Sequence, residues 1–136
     1  MKVNIDDIQM GVEFVSSGYG DDEAYLDIKS GEIYFVGDAV DEIPPSDLYE
    51  NDKYVHLPSK ADLDLGKRLA INFIATALPD KLDETYSIFS HKGAYSKFKF
   101  MLESAENLES WYAYEDAESK KAILGWCNSI GINIHS

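Results

Sequence analysis

Residues 24–37 read AYLDIKSGEIYFVG. AYLDI alternates in strand fashion, KSGE puts Gly31 at a turn position, and IYFVG is rich in β-branched and aromatic side chains. The spacing predicts a β-hairpin over residues 24–37. A third strand is expected at Lys53–Leu57, KYVHL, ended by Pro58 and able to join the same sheet.

On the N-terminal side, IDDIQMGVEFV places Ile5, Ile8, Val12 and Val15 at helical spacing, with Asp6, Asp7 and Glu13 off that stripe. A short amphipathic helix over residues 5–15 follows, with Asn4 as its N-cap and the two Asp beside its positive end. SSGYGDDE reads as a turn. Residues 38–52 are acidic, contain Pro44 and Pro45 and show no sustained period, so they read as a loop with one helical turn near Ser46–Tyr49.

Beyond Pro58 the pattern becomes helical. Ser59 with Asp62 forms a capping-box-like start, and Leu65, Leu69, Phe73 and Ala77 line one stripe beside Ala70, Ile74 and Leu78, which predicts a helix over 60–78. Pro79 breaks it, and Asp80 opens another in which Leu82, Tyr86 and Phe89 share a face. Gly93 precedes a helix over 94–104 with Tyr95, Phe98 and Leu102 in register. A short turn capped by Asn107 runs to Trp111, and a long helix over 112–130 carries Ile123, Trp126, Cys127 and Ile130 inward until Gly131 stops it. The terminal INI is a short extended piece for the sheet.

The expected class is therefore α+β: a small antiparallel sheet, built from the N-terminal hairpin plus a third strand, packed on a helical C-terminal half. With 136 residues, 45% apolar and 27% charged, one domain over 1–136 is expected, an acidic sheet-containing half of about 1–58 and a helical half of about 59–136. Charge is unevenly distributed. Residues 1–64 hold sixteen acids and four Lys, whereas residues 65–136 hold nine acids and eight Lys or Arg, within a total of -13. So acidic a chain is not expected to bind nucleic acid, because that binding is driven by cations displacing counterions from phosphates. Anionic membrane surfaces are disfavoured for the same reason, and no apolar stretch is long enough to span a bilayer. A single cysteine and an N-terminus without an apolar run point to the cytoplasm of a bacterium-like cell.

Catalytic signatures are missing from the sequence. There is no nucleophile elbow, no phosphate loop and no dinucleotide fingerprint. His56, His91 and His135 have no metal-site spacing, the carboxylate runs at Asp21–Glu23 and Asp38–Glu42 do not follow a calcium loop, and Cys127 falls on an inward helix face. No metal and no cofactor is expected, and the balance leans away from an enzyme.

One segment reverses the chain's charge. Thr85–Leu102, TYSIFSHKGAYSKFKFML, has no carboxylate in eighteen residues yet carries His91, Lys92, Lys97 and Lys99. Gly93 lets the backbone turn, and the helix that follows presents free N–H groups to an anion beside these lysines. The lysines equally suit a solvated face or the protein's own acids. The expected binding residues are His91, Lys92, Gly93, Tyr95, Lys97 and Lys99, with Tyr114 the aromatic least tied to the core. The expected partner is a charged protein, or a second copy joined acidic half to basic segment; the alternative is a small anionic ligand, bound or turned over with His91 or Tyr95 moving a proton.

YLDIKSGEIYFV, Leu57-Pro58, Phe73-Ile74, Gly93-Ala94-Tyr95 with Phe98-Lys99, Trp111-Tyr112 with Tyr114, and Trp126 with Gly131-Ile132 together resemble Uncharacterised Protein Family 0158 over nearly the whole chain. The resemblance implies a small bacterial α+β protein and no assigned activity. It also implies Arg around the Gly-Ala-Phe segment, where this chain has Lys92, Ser96 and Lys97, and Arg after the Trp-Tyr group, where it has Glu115. Lys cannot reproduce the two-point grip of a guanidinium.

Overall fold

The computed structural model describes residues 3–17, 22–38, 40–132 and 134–135. β1 (Val3–Asn4) leads into α1 (Ile5–Ser17), followed by β2 (Glu23–Asp27), β3 (Ile33–Val36) and β4 (Tyr54–His56). α2 (Lys67–Ala77), a 3-10 turn (Pro79–Lys81), α3 (Leu82–Ile88), α4 (Ala94–Ser104), α5 (Leu108–Ser129) and β5 (Ile134–His135) complete the chain. The class is α+β, as the sequence predicts. By compactness the chain divides into a sheet unit, residues up to Leu63 with those from Lys120 onward, and a helical unit, Asp64–Ser119. The division falls a few residues beyond the expected change at 58–59, and the second half of α5 counts with the sheet.

In the sheet unit the order is β3-β2-β4, all antiparallel, with Ala24 opposite Phe35 and Leu26 opposite Val55. The predicted hairpin is present, turned by Gly31 at φ 84. The third strand is present too. Asn4 caps α1 as expected, its Oδ1 accepting the Asp6 N–H at 2.8 Å. The stripe Ile5, Ile8, Val12 and Val15 is buried against Ala24, Leu26 and Leu57, with Ile123 and Cys127 of α5 in the same cluster. Full burial of a side chain such as Ile8 contributes roughly 1.5–3 kcal/mol. The C-terminal strand pairs in parallel with β1, Val3 opposite Ile134, and not with the three-stranded sheet. The turn expected over residues 16–23 lies largely outside the described residues, as does the side chain of His135.

In the helical unit the expected helix over 60–78 is shorter. The Ser59–Asp62 capping pair does form, at 3.0 and 3.1 Å, but it caps a single turn. Asp64 then adopts φ 56, a left-handed backbone that no right-handed helix can pass through, and α2 starts afresh after Gly66. Leu69, Ala70, Phe73 and Ile74 form its buried face. On α3 the inward residue is Thr85, whose hydroxyl donates to the Lys81 carbonyl at 2.8 Å, while Tyr86 is exposed rather than sharing the inner face.

α5 absorbs the separate turn expected before residue 112. α4 ends in a Schellman closure: the Asn107 N–H reaches the Leu102 carbonyl at 2.8 Å and the Glu106 N–H that of Glu103 at 3.1 Å, with Glu106 at φ 60. The chain then re-enters helix at once, so Trp111 belongs to α5 and is fully buried. The other end closes in the same way around Gly131 at φ 77, with Ile132 N–H to Cys127 carbonyl at 2.8 Å and Ile132 buried. Trp126 is only partly buried against the core, and Ile130, expected inward, is exposed.

Candidate functional site

The carboxylate-free segment forms α3, the turn 89–93 and α4. The turn is held by backbone and hydroxyl bonds: Phe89 N–H to Thr85 carbonyl at 3.1 Å, His91 N–H to Ile88 carbonyl at 3.3 Å, and Ser90 Oγ to the Ser87 carbonyl at 2.6 Å. Gly93 closes it at φ 72, where a side chain would strain the backbone, and α4 begins at Ala94 with no side-chain cap.

Aromatic rings run through this unit in edge, tilted and stacked contacts. Tyr95 meets Phe89 at 5.4 Å, Phe89 meets Phe98 at 5.4 Å, and Phe98 meets Trp111 at 5.0 Å. Phe73 and Tyr114 sit 5.5 and 6.2 Å from Trp111. The indole N–H of Trp111 is buried with no hydrogen-bond acceptor, and the Phe98 ring stands perpendicular to it. Burial and then the Glu115 charge push the Tyr95 hydroxyl above its usual range, and burial and Glu118 do so for Tyr114. Neither phenol is poised to give up a proton near neutral pH.

The seven expected site residues do not converge. His91, Lys92 and Gly93 lie exposed on the turn. Lys97 and Lys99 are two apart on a helix, about 200° around its axis, and so leave on opposed flanks. Lys99 places its ammonium 5.7 Å from the Tyr112 ring, while Lys97 lines a groove between α3 and α4. Tyr95 and Tyr114 are the outer members of the aromatic series. Among the described residues no ion pair joins Lys92, Lys97 or Lys99 to a carboxylate.

The groove itself is the feature that residue types alone did not single out. It has a volume of about 570 Å³, with Ile88, Phe100 and Met101 as its apolar lining. Lys81, Glu84 and Lys97 line it as well, Lys81 paired with Glu84 at 3.6 Å. Phe100 is 72% exposed. A signal for it existed in α4, since Phe98 and Phe100 cannot both face the core of one helix.

Cys127 is fully buried, and burial pushes its thiol up to about 11. Among the described residues no three His, Cys, Asp or Glu side chains are grouped to hold a metal ion, and no helix is long and apolar enough to cross a membrane. No protein-family model, curated protein or solved structure matches this chain.

Proposed function

We propose that this protein is a non-catalytic interaction domain that docks a charged protein partner through the α3/α4 groove. The observation that carries the reading is Phe100, a large apolar side chain held out to solvent over a mostly apolar groove, beside Lys97, which forms no ion pair among the described residues. Apolar residues exposed singly are ordinary on a protein surface, but Phe100 continues the apolar lining that Ile88 and Met101 give the groove, and a contiguous apolar surface rimmed by charge is what a partner covers. The occupant that fits is a segment with apolar anchors and flanking acids, the acids facing Lys97 and Lys81. The resemblance to Uncharacterised Protein Family 0158 brings no activity that would compete with this reading. The alternative, one small anionic ligand gripped by three lysines, is not favoured, because Lys97 and Lys99 leave α4 on opposed flanks.

The test is a photo-crosslinking amino acid placed at Phe100 and, as control, at exposed Tyr49 of the sheet unit, in the cell that makes the protein. The reading expects one protein crosslinked from position 100 and not from 49, lost when Lys97→Glu is added. Equal crosslinking from both positions would overturn it.

A further inference from the structure

We propose that the open edge of β3, beside α1, takes an extended basic peptide as an added strand. The inference is independent of the α3/α4 groove and rests on the ladder geometry of the sheet unit. The Leu57 N–H bonds the Ala24 carbonyl at 2.8 Å and the Asp27 N–H bonds that of Glu32 at 2.8 Å. Ala24 and Leu26 therefore spend their backbone bonds on the β4 side, and Tyr25 and Asp27 on the β3 side. Antiparallel pairs alternate, so Tyr34 is bonded inward while Ile33 and Phe35, opposite Leu26 and Ala24, turn their N–H and carbonyl groups outward. Such an edge is a template for another strand.

Three features distinguish this edge from a merely exposed one. A groove of about 430 Å³ runs along it, with Met10 of α1 as one lip and Ile33 and Phe35 as the apolar floor. Met10 is 65% exposed, although its helix neighbours Ile8 and Val12 are buried. Among the described residues, every charged side chain lining the groove is a carboxylate: Asp7, Glu32 and Glu42. The edge is also already occupied, because Glu42 lends its Oε2 to the Phe35 N–H at 3.4 Å. That bond is long and weak, and it comes from the irregular segment before Pro44.

An added strand replaces it with a peptide carbonyl at the usual distance of about 2.9 Å. Alternate side chains of the strand then divide between the two faces. Apolar residues on the α1 side meet Met10 and Phe35, with Asp7 at that end for a cation, and residues on the other side meet Glu32. Main-chain bonds supply affinity and the carboxylates select Lys or Arg, the logic of strand addition in general. A solvated acidic loop would explain the carboxylates, but not the groove beside an outward-turned backbone.

The probe is a fluorescein-labelled heptapeptide of alternating Lys and Val, blocked at both ends, titrated by anisotropy into the full chain. Two further peptides serve as comparisons: one with Glu for Lys, and one N-methylated at alternate residues with its charge unchanged. Saturable binding of the Lys peptide is expected, with the Glu and N-methyl peptides at least tenfold weaker. The Ile33 and Phe35 amides should exchange with solvent at least tenfold more slowly in the complex. Glu32→Lys and Met10→Arg, both at exposed positions, should each weaken binding at least tenfold, whereas Phe100→Asp should leave it unchanged. No binding at millimolar peptide, equal binding of the N-methylated peptide, or unchanged exchange at Ile33 and Phe35 would each overturn the proposal.

Discussion

Gly11 on α1 faces Leu57 at the end of β4 so closely that a Cβ placed on Gly11 would run into Leu57 Cδ1. The glycine is what lets the helix lie against the sheet at that point. In an exposed helix, Gly to Ala stabilises by about 1 kcal/mol. Here Gly11→Ala is expected to destabilise by about 1–3 kcal/mol, the usual effect of overpacking a filled core. In a Leu57→Ala background the same change should become neutral or favourable. Chemical denaturation of the four members of that cycle checks it, and additive effects would show that the two residues do not meet.

A second prediction concerns acid. Asp27 is buried. Burial by itself would raise its carboxyl, but the Lys29 and Ser30 N–H groups at 2.8 and 3.2 Å, and the Lys53 ammonium at 3.4 Å, outweigh it and hold the carboxyl below its ordinary range. A lowered folded value means that the carboxylate contributes stability above the unfolded pKa of about 3.9 and loses it as pH falls through the folded value. Asp27→Asn should therefore lower stability at pH 7 and make the fall below about pH 4 less steep. Parallel acid titrations of both proteins would measure this, and equal slopes would refute it.

The two tryptophans should differ. Trp111 is fully buried among Phe73, Phe98 and Tyr114, whereas Trp126 is only partly covered. Trp111→Ala is expected to cost about 3–5 kcal/mol, and Trp126→Ala clearly less. Trp111→Phe should be milder than its lost volume suggests, because it also removes a buried donor with no acceptor. Urea midpoints for the three variants decide the ranking.

Glu106 holds a left-handed backbone at φ 60, a position that glycine usually fills at a helix end. Glu106→Gly should stabilise by about 0.5–1 kcal/mol, since relief of the left-handed strain exceeds glycine's added freedom in the unfolded chain. Glu106→Ala, which keeps the Cβ, should not. A gain for both variants would point to charge and not to backbone strain.

The elements that the sequence revealed are those whose signals are local. The hairpin around Gly31, the stripe from Ile5 to Val15 and the cap at Asn4 each depend on neighbours within a few residues, and each is present. What was not legible depended on single backbone angles or on competition for burial. Nothing in Ser59–Leu65 announces that Asp64 turns left-handed and cuts the long helix, because the capping pair before it is genuine. Glu106 in a glycine's role hid the close of α4 and the early start of α5. At the candidate site the lysines were visible as a cluster in sequence, but helical geometry sends Lys97 and Lys99 to opposed flanks. The groove beside Phe100 and the open edge beside Phe35 arise only when α3 meets α4 and when β2 spends its bonds.

The direct test of the interaction reading is the affinity of the purified protein crosslinked at position 100, measured by calorimetry against the original chain, Phe100→Asp and Lys97→Glu. Both side chains are exposed, so neither change should alter stability by more than about 0.5 kcal/mol. The account predicts at least tenfold weaker binding for each variant, with the original chain weakening as salt rises and Lys97→Glu less sensitive to it. Unchanged affinity in both variants, with their folds intact, would contradict it.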